Sequence, residues 1–264
     1  MRKRTPLFFA PLFLALLPST SAAQDNAASP SLPATFTSDR PGFANTTGVA
    51  AVGRLTTELG VSAAFDDVAP EGSLPQLSLR VGVFEWLEAR WRGPNGVGDF
   101  GPGGPRFGLS DPSVGFKLGG RLAENVTISS VWEVSMPLGT DDFGSPEAEF
   151  FADVNLAWGF WSPLSLTVNA VAMVLTSQDG AGETRRLFDG GGSIRFDWQI
   201  IDVFGVFVQS YVLKSEVSDW RVQVGGGLYW QVAPTVQLDA HFNTGVTAGD
   251  DEPPTAQLGT TVLW

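Results

Sequence analysis

His241 is the only histidine in the chain, and Asp239 and Asn243 stand two positions to either side of it. On a strand, that spacing puts all three side chains on one face. An imidazole oriented by a carboxylate is the base of a hydrolytic triad, and Ser129 or Ser135 on another strand would be the nucleophile. Neither serine lies in a nucleophile elbow, so a structural histidine held beside its aspartate is the simpler reading. No catalytic residue is assigned, and the chain is read as a non-enzyme. Metal ligation needs further imidazoles or several converging acids, and the sequence offers no such cluster. The acidic runs Asp141-Asp142 and Asp250-Asp251-Glu252 carry oxygens suited to calcium, but without EF-hand spacing they read as solvated loops. There are no cysteines, hence no disulfide or thiolate chemistry. No glycine-rich loop precedes a lysine in the manner of a nucleotide site. Neither metal nor cofactor is expected.

The remaining candidates are charges that alternate with apolar residues: Arg54, Glu58, Arg80, Glu88, Arg90, Lys117, Glu133, Asp153, Arg195, Asp197, Arg221, Asp239 and His241. Such groups on one wall of a barrel would line its lumen. Both signs occur in similar numbers. Across a narrow bore they would pair, because pairing offsets the cost of burying a charge.

The elements that would position them are strands. About twelve segments show period-two alternation: 55–65, 77–83, 87–92, 113–118, 126–136, 153–158, 164–174, 194–198, 203–213, 221–230, 236–243 and 257–264. In the sixth, Val154, Leu156 and Trp158 oppose Asp153 and Asn155. The segment 203–213 is apolar on both faces, so its orientation stays open. Long connections rich in Gly, Asp and Pro (66–73, 93–110, 137–148, 175–186, 245–255) alternate with short ones (84–86, 120–125, 161–163, 199–202, 232–235). The five-residue stretch 214–218 breaks the pattern. Outer-membrane barrels have short periplasmic turns and longer external loops. Phe84, Trp86, Trp158, Phe160, Trp161, Trp198, Trp230 and Trp264 all fall beside short turns, as an interfacial girdle would. Twelve of the 28 acids, Asp66, Asp67, Glu71 and Asp99 among them, fall in the long connections.

Arg2, Lys3 and Arg4, the apolar run Leu7–Leu17 and the small residues 19–23 read as a secretory signal peptide over 1–23. Its removal takes away three cations and no acid, moving the formal charge from −12 to −15. That balance argues against nucleic acid as a partner. Residues 24–52 read as an N-terminal arm, low in complexity up to Thr47, and 53–264 as the barrel. The chain ends mid-strand on Trp264. Gln257, Gly259, Val262 and Trp264 are similar to the C-terminal signal that the outer-membrane assembly machinery reads.

Five motifs in order, Thr37-Ser-Asp-Arg-Pro-Gly-Phe43, Leu79-Arg-Val-Gly-Val83, Leu87-Glu-Ala-Arg90, Phe107-Gly-Leu-Ser-Asp-Pro-Ser-Val-Gly-Phe-Lys117 and Met136-Pro-Leu-Gly-Thr140, carry a resemblance. The chain resembles the bacterial outer-membrane transporter family named for the meta-pathway of phenol degradation. The resemblance covers nearly all of the chain after the signal peptide and implies uptake of small, often hydrophobic or aromatic molecules. Typical members carry an acid shortly before the Asp-Arg-Pro run and another after it, where this chain has Thr37, Ser38 and Gly42.

The expectation is therefore an all-β, transmembrane, antiparallel up-and-down barrel of about twelve strands in the outer membrane. It would contact lipid and pass small solutes, with the arm crossing or capping the lumen. Asp39 or Arg40 would pair with the wall, for example with Glu88 or Arg90. An alternative path for apolar solutes runs through the wall at Gly190–Gly192 or Gly225–Gly227. The alternatives to a channel are a structural or adhesive barrel and, further off, a lipid hydrolase. Oligomeric state is left open.

Overall fold

The computed structural model describes residues 37–40, 42–43, 45–66, 69–178, 182–246 and 253–264. The signal peptide, the arm before residue 37 and the loop acids Asp67, Asp179, Asp250, Asp251 and Glu252 lie outside the described residues. Strands β1 (Leu55–Ala64), β2 (Glu71–Phe84) and β3 (Leu87–Arg92) lead to a short hairpin of β4 (Gly96–Asp99) and β5 (Arg106–Leu109). Then follow β6 (Ser113–Ala123), β7 (Val126–Ser135), β8 (Phe150–Trp161), β9 (Leu164–Gln178) and β10 (Thr184–Ile201). The chain finishes with β11 (Phe204–Ser215), β12 (Trp220–Ala233), β13 (Val236–Gly245) and β14 (Thr255–Leu263).

Every strand pairs antiparallel with its sequence neighbour, except that β3 reaches across the hairpin to β6. β1 bonds both β2 and β14, which closes the sheet. Setting aside the β4–β5 hairpin, which extends the outer end of β2, the barrel has the expected twelve strands. No helix among the described residues is long and apolar enough to cross a membrane; the crossing elements are strands.

Burial is inverted relative to a soluble domain. The largest fully buried side chains include Arg80, Arg92, Arg195, Lys117, Glu58 and Glu88, while Val154, Leu156, Phe196 and Leu238 are exposed. In a soluble protein charged groups are almost never fully buried; here the apolar face turns out to lipid and the polar face inward.

The five short connections are two-residue turns, at 85–86, 124–125, 162–163, 202–203 and 234–235. The strand entering each turn carries a register irregularity at that end. Bulges of this kind raise the local twist and are common at barrel rims. Trp158, Trp161, Trp198, Trp230 and Trp264 lie on this rim, exposed on the outside together with Phe84, Trp86 and Phe160. Phe84 stacks on Trp86 with centroids 5.5 Å apart.

Two connections differ from the sequence reading. The loop expected over 175–186 shrinks to 179–183, because β9 and β10 stay paired up to Gln178 and Thr184. The ladder carries β10 through Gly190–Gly192 despite the low strand preference of glycine. Glu71 and Asp99, placed in loops from sequence, are paired in register on β2 and β4. The orientation of β11 is also fixed. Phe207, Gln209, Tyr211 and Leu213 face inward, and Val206, Val208 and Val212 face out.

Candidate functional site in the barrel lumen

Residues 37–52 form no strand, yet most of those described are buried. They lie inside the barrel and bond its wall on several sides. Ser38 Oγ is 2.7 Å from Thr261 Oγ1 on β14, and Thr47 Oγ1 is 2.7 Å from Thr127 Oγ1 on β7. The amide of Ala50 donates to Glu88 Oε2 on β3 at 2.7 Å. Close approach is possible because inward positions on the wall are glycines. A Cβ at Gly82 would collide with the carbonyls of Ala50 and Ala51, and one at Gly119 with Val49.

Asp39 sits at the centre of this contact. Its Oδ2 is 2.6 Å from Arg90 Nη1 and 3.4 Å from Arg80 Nε, and its Oδ1 is 2.8 Å from Lys117 Nζ. Its backbone N–H donates to Glu58 Oε1 at 2.6 Å, and its Oδ1 accepts from the Thr46 amide at 3.0 Å. Around it, Arg80 bonds Glu58 and Glu88, each at 2.8 Å. Glu133 takes Arg90 and Arg92 at 3.0 and 3.2 Å. Asn45 accepts from Arg90 and Arg92, both at 3.2 Å, and donates to Asp153 at 2.5 Å.

The ion-paired wall residues here are Arg80, Arg90, Arg92 and Lys117 against Glu58, Glu88 and Glu133, so Asp39 supplies the balancing carboxylate. Burial alone would raise that carboxyl, but Arg80, Lys117 and Arg90 hold it well below the usual carboxylate range.

Arg40 points the other way, across the seam where β1 meets β14. It donates to Gln76 at 3.2 Å, to the Leu258 carbonyl at 3.1 Å and to Asp239 at 3.4 Å. The guanidinium lies against Gly60 and Gly259, which face each other in the β1–β14 ladder. Of the two arm–wall pairings expected from sequence, Asp39 meets Arg90. Arg40 meets Asp239, while Glu88 is taken up by Arg80 and the Ala50 amide.

The other side of the lumen carries an apolar patch among polar wall residues. The Phe43 ring is 4.1 Å from Tyr211 centroid to centroid and meets His241 edge-on at 5.4 Å. Met173 and Leu213 complete a buried cluster, with Phe151, Val171 and Leu175 against it. Burying a phenylalanine side chain is worth about 1.5–3 kcal/mol, so this contact adds to the polar ones. Nearby, Arg195 pairs with Asp197 and lies 3.7 Å from the centroid of the Phe207 ring.

The His241 group does not assemble as a triad. His241 Nε2 meets the Gln209 amide at 2.7 Å, Asp239 turns to Arg40, and Asn243 bonds Gln223. Ser129 donates to the Thr46 carbonyl at 2.7 Å, and Ser135 Oγ accepts from the Glu149 amide at 3.0 Å. Arg54 is exposed, and Arg221, partly exposed, lies 3.9 Å from Asp189. Among the described residues no cluster of three acids or histidines could hold a metal. Of the loop acids, Asp99 and Asp142 both pair with Arg106.

Several members of the site were missed from sequence. Arg92 shares the parity of Arg90 and was visible on that ground. Asn45, Thr46, Tyr211 and Met173 carried no such signal, since an arm residue has no period, β11 is apolar on both faces, and β9, which holds Met173, is apolar on one face and mixed on the other.

A family model described as "Putative MetA-pathway of phenol degradation" matches residues 38–260. No curated protein sequence matches the chain. Among solved structures, an outer membrane channel from Pseudomonas putida F1 is 11% identical with a TM-score of 0.67, covering 85% of this chain and 99% of that one. The NanC porin is 14% identical with a TM-score of 0.55, covering 79% and 98%. The KdgM porin is 7% identical with a TM-score of 0.51, covering 78% and 98%. At these identities the likeness is one of fold: an outer-membrane barrel of the porin and channel type.

Proposed function

We propose that this chain, which belongs to the family whose model matches residues 38–260, is a passive outer-membrane channel closed at rest by its own N-terminal arm. Its solutes are small and hydrophobic or aromatic. The observation that carries this is the division of the lumen. One side holds the arm through the Asp39 network, and the other presents an apolar patch of Met173, Tyr211 and Leu213 set among polar wall residues. A barrel interior that served only for stiffness would not need to hide an apolar surface from water behind a separate segment. The outer surface meets lipid, and the C-terminal strand is proposed to engage the assembly machinery through Gln257, Gly259, Val262 and Trp264.

Single-channel recording in planar bilayers tests this, using refolded chain after signal removal, with and without residues 24–52. Low conductance in the intact chain and steady conductance in the shortened one supports a channel closed by its arm. Silence in both, with the barrel folded, would replace the channel by a structural or adhesive barrel. The depth at which Asp39 is paired is the feature that favours this second reading. Liposome swelling with neutral aromatic and polar solutes then ranks the cargo.

A further inference from the structure

We infer that the seat of Phe43 is a binding site for a small, uncharged aromatic molecule bearing a hydrogen-bond donor, and that this molecule opens the lumen by displacing Phe43. The inference rests on the channel reading above and adds a ligand site and a trigger to it.

The arm's other hydrogen bonds to the wall run to β1, β2, β3, β6, β7, β8, β13 and β14, through Asp39, Arg40, Asn45, Thr47 and their neighbours. Phe43 is different. Its ring enters a surface made wholly by the wall, with Tyr211 inclined at 54° on one side and His241 perpendicular at 88° on another. Met173 and Leu213 are buried beneath, and Phe151 lies beside them. Tilted and edge-on contacts are the arrangements that aromatic quadrupoles favour, and any flat ring of similar size would find them.

The seat also offers one acceptor at a fixed place. Gln209 Oε1 accepts the backbone N–H of Phe43 at 3.2 Å. The amide cannot turn freely, because its Nε2 is 2.7 Å from His241 Nε2. With Oε1 accepting, Nε2 donates and the imidazole nitrogen accepts. When the arm leaves, Gln209 Oε1 loses its partner, and a hydroxyl or N–H on an incoming ring replaces it. An ionised solute fares poorly, since Met173, Leu213 and Phe151 cannot replace its hydration. Phe43 thus occupies the place of a ligand, competing at an effective concentration on the order of millimolar.

The chain has no cysteine, so one introduced thiol reports arm exit without background. Thr47→Cys places it on a buried arm residue, to be labelled in liposomes by a membrane-impermeant maleimide, with benzyl alcohol as the probe. The labelling rate should rise as one plus the ratio of alcohol concentration to Kd, about tenfold at ten times the dissociation constant of the vacated seat, before it saturates. The same reporter in a Phe43→Ala background should label fast without the alcohol and gain nothing from it. Phe43 lies outside the strands, so this change leaves the ladders intact. No acceleration with Phe43 present would overturn the inference, as would equal acceleration in both backgrounds, the signature of a softened bilayer. Conductance of the chain lacking 24–52 tests the channel reading separately. Conduction there beside an unresponsive reporter removes the ligand trigger and leaves the channel.

Discussion

The guanidinium of Arg40 occupies the space that a side chain at position 259 would need. Gly259 pairs with Gly60 across the two strands that close the barrel, so the arm is seated on the seam itself. A Gly259→Val exchange suits a strand better than glycine does, yet it would push Arg40 away from Asp239 and the Leu258 carbonyl. The expected outcome is a folded barrel with raised basal conductance, approaching that of the chain lacking 24–52. Bilayer recording beside a heat-shift gel checks both parts. A folded variant as silent as the parent would show that Arg40 does not hold the arm.

Asp39 has a larger share of the seat than any other single arm residue. Asp39→Ala leaves Lys117 without its 2.8 Å carboxylate partner and strips Arg90 and Arg80 of one each. Removing one member of a buried ion pair costs about 3–5 kcal/mol. Much of that loss is relieved if the arm leaves and water enters. The ratio of seated to unseated arm should therefore fall by at least roughly a hundredfold, since each 1.4 kcal/mol is about tenfold. Maleimide labelling at position 47 measures it. A Lys117→Ala exchange in the same chain should recover part of the loss, and purely additive effects would argue against a direct Asp39–Lys117 coupling.

The barrel was legible because its physics is periodic. Val154, Leu156 and Trp158 against Asp153 and Asn155 announce a two-faced strand, and segments of this kind mark the barrel strands other than β11. Loop lengths and rim tryptophans then supply direction. What stayed hidden is aperiodic. Arg40 and Asp239 are 199 positions apart, and their meeting depends on barrel closure and on the course of an arm with no repeat. Gly259 read only as part of the terminal signal, and Gly60, Gly82 and Gly119 carried no mark of their own, whereas each clears space for an arm residue. On β11, apolar residues face both lipid and the Phe43 seat, so alternation had nothing to report. The 175–186 connection was overestimated because Thr176, Ser177, Gln178, Thr184, Arg185 and Arg186 are polar as a loop would be, although they pair in the β9–β10 ladder.

The charge network also sets a pH window. Arg80, Lys117 and Arg90 hold the Asp39 carboxyl well below its ordinary value. A carboxyl depressed in this way favours the seated arm above its unseated pKa of about 3.9, and that contribution fades as pH falls toward the seated value. Conductance of the intact chain should therefore stay low and flat between about pH 7 and 5, then climb below about 4. Asp39→Asn should remove this contribution and flatten the acid limb. A midpoint near 6 in the parent would point to a different titrating group and sink the assignment to Asp39.

Trp264 separates assembly from stability. Its indole donates to Thr57 Oγ1 at 3.0 Å and its backbone N–H to the Leu55 carbonyl at 2.9 Å, while 64% of the residue remains exposed. Trp264→Ser keeps the backbone bond and loses the indole bond, which is worth about 1 kcal/mol. The refolded barrel should accordingly unfold at nearly the parent temperature. In cells the same exchange should lower the amount of assembled protein severalfold, if the terminal aromatic is read by the assembly machinery. Comparing heat-shifted and unshifted bands from cells with those from the refolded protein distinguishes the two. Equal, small losses in both settings would reduce Trp264 to an interfacial anchor, one more ring in the rim beside Trp158 and Trp230.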